Sequence, residues 1–62
     1  MELNLTPNIQ DADNFYDELL QAHEGKDKAE SDAYNARLIL ILCNHIGDRT
    51  ILSEALAAAQ KV

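Results

Sequence analysis

The chain has 62 residues, 47% of them hydrophobic, and a formal charge of −6, which leaves room for one small domain and gives an acidic surface that disfavours nucleic acid or an anionic membrane as a partner. Cys43 is the only cysteine, so a disulfide within the chain is excluded, and two His with one Cys at unhelpful spacings offer no structural metal set. Neither a metal nor a cofactor is expected.

Residues 1–10, "MELNLTPNIQ", read as an extended lead-in around Pro7, with Leu3, Leu5 and Ile9 available to pack across a helix pair. The same stretch lacks the basic and apolar regions of a secretory signal. With no apolar run long enough to span a bilayer, the cytoplasm is the expected compartment. A first helix is predicted over Asp13–Glu24, opened by Asp11 or Asp13 as N-cap. Phe15, Tyr16, Leu19, Leu20 and His23 recur at spacings of three and four, an amphipathic stripe, and Gly25 should close the helix as its C′ residue.

Asp27-x-x-Glu30 is a capping-box-like start for a second helix, predicted over Lys28–Ile46 and stopped by Gly47. Its middle, "LILILC" from Leu38 to Cys43, also alternates like a buried strand. No other segment could pair with it as a strand, so the helix is preferred. A helix apolar on nearly all sides must be covered on most of them, which makes this the central element. Asp48 or Thr50 should cap a third helix over Thr50–Lys61, burying Ile51, Leu52, Ala55, Leu56 and Ala59. The fold class is therefore all-α: a helical hairpin plus a C-terminal helix, forming one domain over residues 1–62.

Charge divides unevenly along this plan. Residues 1–32 carry nine acids against Lys26 and Lys28, a balance of −7, whereas residues 33–62 carry Asp48 and Glu54 against Arg37, Arg49 and Lys61, a balance of +1. Several of the acids sit where helix starts favour negative charge.

The stretch "ARLILILCNHIGDR", from Ala36 to Arg49, holds the candidate binding residues Arg37, Asn44, His45 and Asp48. A turn of 100° per residue puts Glu30, Arg37 and Asn44 on one line of the second helix, with Leu40 and Ile41 on either side. Such an Arg can help form a pocket, or simply lay its stem over Leu40 on a solvated stripe. His45 with Asp48 could act as a base and its orienter. The plainer account has His45 beside the last helical carbonyls and Asp48 capping the next helix. No catalytic residue is assigned, because Ser31 and Ser53 have no base nearby in sequence and Gly25 and Gly47 stand alone.

Size then argues for association. Folding a chain of 6.9 kDa should remove roughly 6,000 Å² from water, about 3,500 Å² of it apolar. That contributes about 90 kcal/mol against an ordering cost of about 1.5 kcal/mol per residue, a total within a few kcal/mol of it. A monomer would be marginal, so a homodimer or a protein partner is expected, with Leu38, Ile39 and Leu42 and the alanine face of the third helix in the contact.

The pieces "LNLTPNI", "FYDELLQAHEG" and "NARLILILCNHIGD", followed by a Leu- and Ala-rich helix, resemble a short bacterial family of uncharacterised proteins of about this length. Asn35-Ala36-Arg37-Leu38 and Asn44-His45-Ile46-Gly47-Asp48 are the most specific of them. The resemblance implies a small helical protein with no assigned activity and supplies no catalytic residues. It also implies that relatives can occur beside flavin-dependent aromatic-ring oxygenases, which would give an accessory or regulatory role.

Overall fold

The computed structural model describes residues 2–61, and three helices account for most of them: α1 (Ala12–His23), α2 (Lys28–Ile46) and α3 (Arg49–Ala59). Among the described residues there is no strand, and Leu38–Cys43 lies wholly within α2. The all-α reading holds, with α2 at the expected bounds and the ends of α1 and α3 shifted by one or two residues. No helix among the described residues is long and apolar enough to cross a membrane.

The starts of α2 and α3 follow the sequence signals. Asp27 accepts at Oδ1 from the Glu30 N–H (2.8 Å), and Glu30 Oε1 accepts from the Asp27 N–H (3.3 Å), so both halves of the capping box are made. Asp48 caps α3, its Oδ1 accepting from the Ile51 N–H at 3.0 Å, and Thr50 lies inside the helix.

At α1 the position is right and the chemistry differs. Asp11 stands at the N-cap, but its backbone is left-handed (φ 52°, ψ 51°) and its carboxylate makes no cap bond. The carboxylate instead accepts from the Asn14 side-chain amide at 3.0 and 3.1 Å. Aspartate is one of the few residues that tolerate this backbone region.

Gly25 stands at C′ of α1 as expected, and it closes the helix through a β-turn. Glu24 is extended (φ −60°, ψ 136°), Gly25 has φ 77°, and the Lys26 N–H donates to the His23 carbonyl at 3.2 Å. That is a type II turn, whose third position requires positive φ. Gly47 is also left-handed (φ 69°), and its N–H donates to the Cys43 carbonyl at 2.9 Å. Only Gly47 and Asp48 separate α2 from α3.

Packing is thinner than the amphipathic stripes suggest. Ile51, 6% exposed, is the one buried hydrophobic residue among those described. In α1, Phe15, Tyr16 and Leu20 are exposed, whereas Ala12, Leu19, Ala22 and His23 are half-buried. In α3, Ile51, Leu52, Ala55 and Ala58 turn inward, and Leu56 and Ala59, expected in the buried stripe, are exposed. Ile51, Leu52 and Ala55 lie inward as expected, and Ala58 in place of Leu56 and Ala59 turns the inward face by about 40° from the expected stripe.

The lead-in does not shield α2. Asn4 Oδ1 holds it in a local turn by accepting from the Thr6 N–H and hydroxyl, and Leu5 and Ile9 are exposed.

The helices therefore form an open arrangement, in which no two pack along their lengths. The radius of gyration is 13.4 Å, against about 10.6 Å for a compact chain of this length. The accessible surface is 5665 Å², against about 4,000 Å² for a folded monomer of this mass. Folding thus buries about 4,300 Å² rather than the roughly 6,000 Å² that size alone predicts.

Candidate functional site

Three places on the molecule concentrate side chains that could bind or react: the α1–α2 turn, the α2–α3 junction and the face shared by α2 and α3. At the turn, His23 Nδ1 lies 3.0 Å from Ser31 Oγ, and the His23 ring meets Tyr34 edge-on at a centroid distance of 5.2 Å. Lys26 Nζ sits 4.9 Å from the centre of the Tyr34 ring and donates to the Ala22 carbonyl, one of the last acceptors of α1.

The fold thus gives Ser31 a neighbouring imidazole that sequence proximity did not. Nucleophilic catalysis asks for more: a third group orienting the base and donors for an oxyanion. Among the described side-chain hydrogen bonds His23 has Ser31 as its single partner, and the arrangement reads as a clasp between α1 and α2. The signal was present as Ser31 and Tyr34, three residues apart on one side of α2, both of which meet His23.

At the junction the four candidate residues separate by role. Arg37, Asn44 and His45 are exposed, whereas Asp48 is half-buried and its Oδ1 is committed to the Ile51 N–H. Arg37 and Asn44 share a line on α2, and His45 is turned from Asn44 by about 100°. Gly47, left-handed, ends the helix between His45 and Asp48. Among the described side-chain hydrogen bonds none joins Arg37, Asn44 or His45 to another residue.

The third place, on α2 and α3, is apolar. Ile39, Leu40, Ile41 and Leu42 are 58%, 69%, 65% and 51% exposed, and Leu56 on α3 is 72% exposed. Between the helices runs an open groove of about 600 Å³ lined by Ile39, Cys43, Arg49, Leu52, Ser53, Ala55, Leu56 and Ala59. Cys43, Ser53, Ala55 and Ala59 are small, and Arg49 is the only charged residue among the described residues that line it. A second open groove, of about 590 Å³, lies between the lead-in and α1, beside Leu5, Ile9 and Tyr16. Neither groove is lined by Arg37, Asn44, His45 or Asp48. Leu38, the third of the α2 residues expected in a contact, is half-buried.

The pattern of the family described as "Protein of unknown function (DUF2783)" matches residues 3–61, nearly the whole chain. The chain belongs to that family. Membership covers all three helices and the lead-in together, so the exposed α2–α3 face lies within the matched region. No curated protein and no solved structure matches the chain.

Proposed function

We propose that the chain is a protein-interaction module, a single helical domain that acts through the exposed apolar face of α2 and α3. The observation that carries this reading is the run Ile39–Leu42, four successive large apolar residues each more than half exposed. Successive helical residues point about 100° apart, so the run is apolar around most of the helix and needs cover on more than one side. Apolar patches of this extent on a small protein mark a contact with another chain. Leu38, Ile39 and Leu42 supply the α2 side of that contact, and Leu56 with the small residues of α3 supplies the other.

Arg37, Asn44 and His45 then form a polar border to the face, while Asp48 holds the turn between its two helices. The reading calls for no catalysis and no cofactor. Cys43, a free thiol in the groove, suits a reducing compartment such as the cytoplasm.

The test is sedimentation equilibrium at micromolar concentration, together with affinity capture from the native cell using tagged wild type and a Leu56→Glu variant. A species heavier than 6.9 kDa, or one protein retained by wild type and lost with the variant, is the expected result. A 6.9 kDa particle that melts cooperatively and retains nothing would overturn the proposal.

A further inference from the structure

We infer that α1 is a movable cover for α2, closing along the line that runs on from the His23–Ser31 contact so that Phe15 packs on Leu38 and Ala12 on Ile41. The inference goes beyond the interaction-module reading, because the groove lined by Ile39 and Cys43 lies on the other side of α2.

The first argument is continuity with a contact already made. Nδ1 of His23 lies 3.0 Å from Oγ of Ser31, and the His23 ring meets Tyr34. Residues 24–27, which join the two helices, are a usual length for an antiparallel helical hairpin. On α2, Ser31, Tyr34 and Leu38 are half-buried, and the same spacing of three and four leads on to Ile41. On α1, Ala12, Phe15, Leu19 and Ala22 carry the matching spacing, the repeat of helices packed along their lengths. Both helices are unbroken over these positions. An antiparallel count from the His23–Ser31 contact therefore sets Leu19 opposite Tyr34, Phe15 opposite Leu38 and Ala12 opposite Ile41.

The second argument is that burial along this line stops although the line does not. Leu19, Tyr34 and Leu38 are half-buried, whereas Phe15 and Ile41 are 41% and 65% exposed. Rotation does not account for the difference. At 100° per residue Phe15 falls between Leu19 and Ala22, and Ile41 returns to within about 20° of Tyr34. The helices diverge beyond their shared end, and the residues left bare are those that closing joins.

Charge agrees. Arg37, one residue before Leu38, and Glu18, one residue before Leu19, are both exposed, and neither belongs to the ion pair found among the described residues. With the helices closed antiparallel, the two occupy the same flank of the seam and face one another, where opposite charges are favoured.

The experiment is disulfide trapping of the full chain in a glutathione buffer at low micromolar protein, with helicity followed by circular dichroism. Ala12→Cys/Ile41→Cys in a Cys43→Ser background places a thiol on each side of the closed seam. The control is Ala12→Cys with the native Cys43, which lies about 180° round α2 from Tyr34. The seam pair should form a disulfide within one chain at an effective concentration at least about tenfold above the control, and Phe15→Asp should remove that advantage. Glu18→Cys/Arg37→Cys, at exposed positions on the flank, repeats the measurement if the first pair loses helicity.

A disulfide between two chains would make another copy's α1 the cover and overturn closure within the chain. No advantage over the control, or an advantage that survives Phe15→Asp, would overturn the seam. A chain that closes in this way yet neither associates nor captures a protein would remove the module reading and leave the cover standing.

Discussion

His23 and Ser31 meet across the α1–α2 turn, with Nδ1 and Oγ 3.0 Å apart, and with Tyr34 and Lys26 beside them they tie the first helix to the second. Ser31→Ala removes a half-buried hydrogen bond and should cost about 0.5–1.5 kcal/mol. Urea unfolding of wild type and variant measures it. A change below a few tenths of a kcal/mol would mean the clasp is held by the His23–Tyr34 ring contact alone.

The second prediction concerns the joint between α2 and α3. Asp48→Ala removes the only side-chain cap of α3 and should cost about 1 kcal/mol, whereas Asp48→Asn keeps an acceptor and should cost far less. Gly47→Ala forces a Cβ into the left-handed region and should cost about 1–2 kcal/mol, although nothing but the Asn44 carbonyl, 3.6 Å away, stands near the added atom. Denaturant midpoints of the three variants order them.

His45→Ala should change stability by no more than about 0.5 kcal/mol, as for most exposed positions. The check is again an unfolding curve, paired with the association measurement. Intact stability with lost binding would move His45 from the border of the apolar face into the contact itself.

A fourth prediction uses concentration. When folding and association are coupled, the melting temperature rises with protein concentration by mass action. Wild type should show that rise over a hundredfold dilution series. Ile39→Ser and Leu56→Ser should flatten it while leaving the α-helical circular dichroism of concentrated samples in place.

Local chemistry was readable from sequence wherever one residue type has one favoured job. Asp27 with Glu30, Asp48, and Gly47 each do at the helix ends what their types predict, and these marked the extent of α2 and the start of α3. Asp11 shows where such reasoning stops, because a left-handed backbone turns its carboxylate toward Asn14. Burial was less legible. Leu56 and Ala59 satisfy the periodicity of a buried stripe equally well whether they face the same chain or another one, since a stripe records that apolar cover is needed and not which molecule provides it. The candidate site had the same ambiguity. Arg37 and Asn44 share a line of α2 but lie about 10 Å apart along it, helical rotation turns His45 about 100° away, and the Ser31–His23 pair forms only when the turn at Gly25 folds the chain back.

The two-residue joint at Gly47 and Asp48 has a consequence for how the family can vary. Loops usually absorb insertions and deletions because nothing depends on their length. Here four backbone torsions set how the groove-lining side of α3 is aligned with that of α2, and each residue added to the start of α3 would turn its face by about 100°. In an insertion scan the stretch that behaves like a protein interior would be this solvent-lapped bend, while the apolar run of α2 would accept changes of shape as long as its surface stayed greasy.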